Sequence, residues 1–474
     1  MKTLILILIL LPLNLRSQWI SQNVPSDVQA LVSTDFSDIK NGVACGFVIS
    51  WDFLGRVVYT SNSGNTWSMA NYPSTCLWLR EVQMLDSLNG FIVGDYDIRE
   101  PSDRINKPKG FNISKNGKIF DRNVSDPEDG IHFKALLMRT SDGGRNWFIP
   151  ENFIEPAYAF TGVNFINQNT GYLAAEFDYN NNHNSGLVKT TDGGTTWDTL
   201  YQSAGTAYYD IIVYENDYVI TLGFDYLKKE GIILKSVDDG INWVKNSFPG
   251  VFLGGIDFTN LSTGICVGEK NYKTTDKGDT WNEFEIISDT TYPYFMGFQF
   301  LKGTGIAVAS GEIYIDKILT PAIFRTTNYG NSWIQTITPF LNQSNVPFSV
   351  ALTDEINWFA CGGREGAIIL NTNNGGIVGI SNSDLILDNY SLSQNFPNPF
   401  NPRTIIKYQL LKSDIVSLKV YDVLGNEVTT IINGKQNSGS HQIEFDGSNL
   451  SSGIYFYKLN AGEFSETKRM ALIK

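Results

Sequence analysis

Three carboxylates occupy equivalent points of a repeated pattern. Asp95, Glu176 and Glu269 each stand directly after a short apolar run, Gly90 to Gly94, Gly171 to Ala175 and Gly264 to Gly268. Aromatic residues lie close by or at corresponding places of other repeats, among them Trp51, Phe53, Tyr96, Tyr179, Tyr226 and Tyr314. Two carboxyl groups facing one another could cleave a glycosidic bond, one protonating the leaving oxygen and the other serving as base or nucleophile. The same acids among aromatic rings could instead hold a sugar, a cationic peptide or a partner protein without any chemistry. Separation across a fold is invisible in a sequence, so the binding surface and the glycan hydrolase both stand, and no residue is assigned as catalytic. Other catalytic signatures are missing: there are 3 His, none in a metalloprotease H-E-x-x-H motif or beside a G-x-S-x-G serine turn. No motif calls for a cofactor or a metal. Asp178 to Asn184 alternates oxygen ligands as calcium loops do, but has His183 where the turn wants glycine and Lys189 where the bidentate acid belongs.

These side chains need a frame that repeats. The apolar run occurs seven times, beginning at Gly42, Gly90, Gly171, Val219, Gly264, Gly305 and Trp358. Short apolar runs bounded by glycine or polar turns read as buried strands, and their small residues suit tight packing near a crowded axis. A second repeated sentence follows most of them: Ser/Thr, any residue, Asp/Asn, any residue, Gly, two residues, Trp. It spans Thr60 to Trp67, Thr140 to Trp147, Thr190 to Trp197, Ser236 to Trp243, Thr274 to Trp281 and Thr326 to Trp333. The acid or amide at its third position is suited to bond N–H groups of its own turn, and the glycine takes φ > 0 without penalty. The tryptophan then starts the next strand and buries apolar surface. Repeats are settled first in such a chain, and seven units of four strands predict a seven-bladed β-propeller. The turns lie at one face, so the connections between second and third strands, which carry Asp95, Glu176, Glu269, Trp51, Tyr96, Tyr179 and Tyr226, emerge at the other.

The eight-residue sentence resembles the Asp-box, or bacterial neuraminidase repeat, of β-propellers such as sialidases, sortilin-type receptors, xyloglucanases and photosystem II assembly-factor propellers. In those families the box lies on the outer part of the blade, away from the ligand. The resemblance therefore implies a structural role for Asn62 and Trp67, Asp142 and Trp147, Asp192 and Trp197, Asp238 and Trp243, Asp276 and Trp281, and Asn328 and Trp333. Over Gln18 to Gly376 the chain resembles the photosystem II assembly-factor type of seven-bladed propeller more closely than the sialidases, which implies the fold and a binding scaffold. Sialidase chemistry does not carry over, because the chain has no Arg-Ile-Pro segment and the sialidase ring has six blades. A seventh box, Asn371 to Gly376, lacks its tryptophan, while Trp19 to Ser26 matches Trp67 to Ser74 at the Trp and Pro-Ser positions. The N-terminal strand is thus expected to complete the last blade and remove an open edge.

The chain has 474 residues and a net charge of −13. This acidity excludes a basic nucleic-acid binder. Residues 1–17, with Lys2, an apolar run and Ser17 before Gln18, read as a secretory signal peptide, and no later stretch is long and apolar enough to be a transmembrane segment. Four cysteines make no disulfide framework in a chain this long. Cys45, Cys266 and Cys361 fall in the repeated runs and read as small buried residues, whereas Cys76 falls in a connector. An insertion, Asp95 to Phe133, holds Asn116-Gly117 between alternating apolar residues from Phe111 to Phe120, a hairpin signal that fits a recognition arm or a decoration.

After Gly376 the repeat stops, and 377–389 reads as a linker. Residues 390–474 resemble the type A C-terminal sorting domain of the type IX secretion system of Bacteroidetes. The resemblance rests on Leu392 to Pro402, including Pro397, Asn398, Pro399 and Phe400, on Val420 to Gly425, on Leu450 to Tyr457 with Gly453 and Tyr455, and on Thr467 to Lys474 with Lys468. It implies recognition by an outer-membrane translocon and a protein that is secreted or attached to the surface after crossing the periplasm. The residues themselves predict six strands of a small immunoglobulin-like β-sandwich. The whole chain is expected to be all-β, a seven-bladed propeller at 18–376 followed by this sandwich.

Overall fold

Short apolar runs separated by glycine and polar turns can satisfy their backbone groups by pairing with the next run as antiparallel strands. In the computed structural model they do so throughout. The structure describes residues 19–48, 54–97, 133–376 and 391–474, apart from 152, 154–155, 179–182, 215–216, 287–292, 316–317, 337, 339–343, 365, 393, 396–397, 411–413, 437–438 and 463. The expected signal peptide, the Phe111 to Phe120 hairpin, the linker, Trp51, Phe53, Tyr179 and Pro397 lie outside the described residues. No helix among the described residues is long and apolar enough to cross a membrane. The chain divides into two compact units that part after Gly376.

The larger unit holds seven antiparallel sheets, each built from strands consecutive in the chain or closed by the N-terminal one. The first is representative: Ala30–Phe36, Gly42–Phe47, Gly55–Thr60 and Ser68–Met69. The second differs from expectation. Among the described residues it has three strands, Cys76–Met84, Gly90–Asp97 and Phe133–Thr140, and beyond its turn only an isolated bridge between Arg139 and Phe148. Pro150, two residues on, has no N–H with which to extend a ladder. The seventh blade, Pro347–Leu352, Trp358–Gly362 and Ile368–Thr372, takes its fourth strand from Ile20–Ser21, with Ile20 opposite Asn371. Trp19 is fully buried beside Trp358, ring centroids 6.4 Å apart, and its Nε1 donates to Thr336 Oγ1 at 2.9 Å.

The eight-residue turns share one geometry. In seven places a Ser/Thr hydroxyl donates to the Asp or Asn two residues on at 2.7–3.0 Å. The same hydroxyl accepts the glycine N–H four residues on at 2.8–3.2 Å. In six of them the acid or amide also accepts the N–H four residues beyond itself at 2.8–3.0 Å. These bonds hold Asp192 and Asp276 down to about 2, the hydroxyls of Thr196 and Thr280 contributing most. Trp67 and Trp147 are buried, whereas Trp197, Trp243, Trp281 and Trp333 are half-buried, packed on Phe160, Tyr201, Phe258 and Phe298.

One irregularity recurs in every blade and matters more than the turns for what lies at the axis. Each first strand carries an extra residue against its second strand: Val32, Arg80, Thr161, Tyr209, Gly254, Met296 and Phe348. A bulge of this kind re-aims a side chain. It also explains a glycine in four of the second strands. A Cβ on Gly46, Gly94, Gly268 or Gly362 would stand 1.9–2.3 Å from the carbonyl oxygen two residues before the bulge, on Ala30, Trp78, Phe252 and Val346 respectively. The expected crowding at these small residues is real, and its source is the first strand's own backbone.

Cys45, Cys266 and Cys361 sit buried in second strands, and Cys76, expected in a connector, opens the first strand of the second blade and is also buried; all four are free.

The smaller unit is a sandwich of two sheets. One pairs Ser391–Leu392, Arg403–Leu410 and Gly439–Asp446; the other orders Glu427–Gln436, Asp414–Tyr421, Gly453–Ala461 and Phe464–Leu472. Ile406, Val416, Leu418, Val420, Tyr457, Leu459 and Met470 fill its core. The short strand at Ser391 lay unseen in the sequence because two residues carry no periodicity. The sorting residues tie the start of the unit to its end. Phe400 is buried, its N–H donating to Ala471 O at 2.9 Å while its carbonyl accepts from Ile473 at 3.0 Å. Asn398 Oδ1 accepts the Ala471 N–H at 2.8 Å, and the Asn398–Pro399 peptide is cis. Lys474 Nζ donates to Ser448 O at 2.6 Å, Tyr455 OH donates to Ser451 O at 2.8 Å, and Lys468 pairs with Glu466 at 2.8 Å. Gly425 takes a φ of +85° in its turn, and Gly453 opens a strand.

Candidate binding site at the channel mouth

The seven first strands surround a channel of about 420 Å³, lined by residues of every blade, within the range of small-molecule sites. A strand at the axis has a neighbour on one side only, so its inward N–H groups need other acceptors. Side chains of the preceding blade supply them. Ser33 Oγ accepts from Val82 N–H (3.2 Å) and Asp35 from Met84 (2.7 Å). Glu81 accepts from Val163 (2.7 Å) and Gln83 from Phe165 (2.7 Å). Asp210 accepts from Ile256 (3.2 Å), Asp257 from Phe300 (2.9 Å), Gln299 from Leu352 (2.6 Å) and Ser349 from Thr34 (3.2 Å). Between the third and fourth blades the direction reverses, with Thr161 Oγ1 donating to Tyr208 O at 2.6 Å. The circle is complete across all seven interfaces.

These staples put four carboxylates around one lumen. The side chains of Asp35, Glu81 and Asp210 touch the lumen, yet protein surrounds them. Burial pushes Asp35 up to about 6 and Asp210 up to about 7, and it drives Glu81 well above the usual carboxylate range, with Asp210 nearby adding to the effect. Asp257 pairs with Lys302, which also donates to Tyr214 OH at 2.7 Å and Phe258 O at 3.0 Å.

The mouth opposite the eight-residue turns is where the predicted acids lie. Asp95 is fully buried and accepts from Arg80 Nη2 at 3.3 Å; Glu176 Oε2 stands 3.9 Å from the same nitrogen and keeps 28% of its side chain exposed. Two of the three acids are therefore brought together, on an arginine that sequence reasoning missed. Glu269 is not with them: it turns onto its own blade and accepts the Phe252 N–H at 2.8 Å. Tyr96 is half-buried at the end of its strand, its Cα opposite Cys76. Tyr226 stacks on His183 at 3.9 Å and meets Phe224 edge-on at 5.2 Å.

An aromatic wall runs around the fourth, fifth and sixth blades. Phe252 is stacked between Tyr209 (5.6 Å) and Tyr294 (5.5 Å). Burial raises the Tyr294 hydroxyl, and the neighbouring charges of Glu269 and Glu312 raise it further. Glu312 in turn is paired with Arg364, whose guanidinium lies 6.0 Å from the Phe348 ring. Arg80, Glu81, Asp210, Phe252 and Tyr294 carry no motif; the one trace of Arg80's position in the sequence is the glycine at 94 facing its bulge. Among the described residues no group of three or more His, Cys, Asp or Glu is placed to hold a metal ion.

Fold and site define an all-β chain made of a seven-bladed propeller and an immunoglobulin-like sandwich. Residues 394–474 match the secretion system C-terminal sorting domain family. Proteins carrying this domain are exported through the type IX system to the cell surface or the medium, and this chain is one of them. No curated protein sequence matches the chain. Among solved structures it is similar to YCF48 bound to D1 peptide, at 15% identity over 75% of this chain and 97% of that one, with a TM-score of 0.48. It is also similar to PorZ, a surface component of the type IX secretion system of Porphyromonas gingivalis, at 13% identity over 93% of this chain and 59% of that one (TM-score 0.35). A polysaccharide lyase, ulvan lyase, is similar at 9% identity over 74% of this chain and 96% of that one (TM-score 0.44). At such identities and scores none of them assigns a ligand.

Proposed function

We propose that the propeller is the working part of an exported binding protein, and that its ligand seats on the mouth opposite the eight-residue turns. The observation that carries this reading is the state of the predicted acids. Asp95 is fully buried and committed to Arg80, and Glu176 lies against the same guanidinium. A paired-carboxylate hydrolase needs one carboxyl free to exchange protons and the other free to reach an anomeric carbon; a buried ion pair supports a shaped, rigid contact surface instead. In this reading residues 1–17 direct the chain to the periplasm, 377–389 link the two units, and 390–474 are the part that the translocon recognises. The eight-residue turns then act as Asp-boxes in the structural sense, fixing the outer parts of the blades.

The test is a binding screen of the exported protein against glycan arrays and surface-protein fractions, paired with a hydrolysis assay on the same glycans. Binding that is weakened by substitutions at Glu176 or Tyr294, without turnover, is the expected result. Turnover abolished by Asp95→Asn or Glu176→Gln would replace the binding reading with the hydrolase. Mass mapping of the exported form shows whether the ends at 17 and 390 are cut.

A further inference from the structure

The bulge of the second blade sets against the channel a polar edge that the described residues leave unpaired. The Arg80 side chain is 9% exposed and lines the channel, but its Nε–H has no acceptor among the described residues. Leaving a buried donor unmade costs free energy, and more when the group is charged. Its neighbours fix its position without filling that edge: Asp95 takes one bond from Nη2, and the guanidinium rests over the Trp78 ring at 5.5 Å, which Phe47 meets edge-on at 5.1 Å. Glu176 Oε2, 3.9 Å from Nη2 and partly exposed, makes no hydrogen bond within the described protein.

A planar donor and a carboxylate acceptor thus stand side by side at one wall of the mouth. We infer that this pair is a subsite for neighbouring hydroxyl groups of a neutral carbohydrate, an inference that rests on the binding reading above. A hydroxyl is donor and acceptor at once. Of two vicinal hydroxyls, one accepts from the Arg80 edge and the other donates to Glu176. Hydrogen bonds with one charged partner are the stronger kind. Ligands of a single charge fit worse. A cation reaching Glu176 meets the Arg80 guanidinium at the same time, and an anion reaching Arg80 meets Glu176, which like charges disfavour. The wall of Tyr209, Phe252 and Tyr294 supplies apolar faces of the kind that cover the C–H side of a sugar ring.

The experiment uses the full exported chain on an array of neutral, anionic and amino-sugar oligosaccharides with basic peptides alongside, followed by titration of the strongest binder into wild type, Glu176→Gln and Arg80→Lys. Glu176→Gln keeps the side-chain shape and removes the charged acceptor; Arg80→Lys keeps the charge for Asp95 and removes the planar edge. Preference for neutral oligosaccharides, with binding weakened about tenfold or more in each variant and an unchanged melting temperature, is the expected result. If Arg80→Lys melts early, Glu176→Gln alone decides. Neutral-glycan binding that survives Glu176→Gln overturns the subsite, as does a preference for anionic glycans. Binding of basic peptides alone, weakened by Tyr294→Ala, overturns it while leaving the mouth as the binding face. No binding of any class to the mouth overturns both readings.

Discussion

The hydroxyl of Ser349 accepts the backbone N–H of Thr34 at 3.2 Å, joining the last first-strand of the propeller to the first across 315 positions. It is the closing member of a circle of side-chain bonds in which each blade caps the inner edge of the next. The outer closure, Ile20–Ser21 on the seventh blade, is separate from it. Blade one is thus tied to blade seven at the axis, while the N-terminal strand completes the outer side of blade seven.

The outer latch is anchored by Trp19. Trp19→Ala is expected to cost about 3–5 kcal/mol, the range for a large buried aromatic, as a lowered denaturant midpoint of the propeller transition. Ile20→Ala, at a side chain 55% exposed, is expected to change stability by less than about 0.5 kcal/mol.

The bulges make a steric prediction. Gly94→Ala would bring a methyl to 2.0 Å from Trp78 O, so the second blade must lose its bulge or shift its strand, at about 3 kcal/mol or more. Gly434→Ala, in a sandwich strand with nothing within 4 Å of the added methyl, is expected to be neutral or slightly stabilising. Equal effects of the two substitutions, read from the transitions of their own units, would contradict this account of the repeated glycine.

Stability against pH has two opposing limbs. Asp35 and Asp210 titrate near 6 and 7 in the fold against an ordinary 3.8. Folded values above the unfolded one favour the neutral form, so their contribution is complete below about 3.8 and is lost as pH rises through 6 to 7. Asp192 and Asp276, at about 2, work the other way: their contribution is present above 3.8 and is lost as pH falls through 2. The propeller is therefore expected to resist denaturant best near pH 4 to 5 and less at pH 8, and Asp210→Asn to flatten the alkaline limb. A midpoint that rises steadily from pH 5 to 8 would show the lumen acids to be ionised without cost.

The repeated architecture was legible because every turn and every small apolar run carries its own chemistry: Thr190, Asp192 and Gly194 write their hydrogen bonds into a single eight-residue stretch. The closing strand was legible through Trp19, which repeats the pattern of Trp67. The places of Asp95 and Glu176 toward the ends of second strands were legible from the repeat alone. Arg80 was not, since a bulge is a matter of register between two strands, and Leu79-Arg80-Glu81 reads like any other strand. The staples were hidden for the same reason: Asp35, Asp210 and Asp257 look like ordinary polar residues until the neighbouring blade offers its N–H groups. The shortened pairing beyond Phe148 among the described residues of the second blade goes with Pro150, which has no N–H to give a ladder.

The central claim is that ligand seats at the mouth built by Arg80, Glu176 and the Tyr209–Phe252–Tyr294 wall. Amide hydrogen exchange of the exported chain, with and without the strongest binder found in the array screen, tests it most directly. The account predicts slowed exchange in segments 78–81, 94–96, 176–178 and 252–254, with the turns from 60 to 67 and from 190 to 197 unchanged. Protection confined to those turns, with the mouth segments exchanging as before, would contradict it.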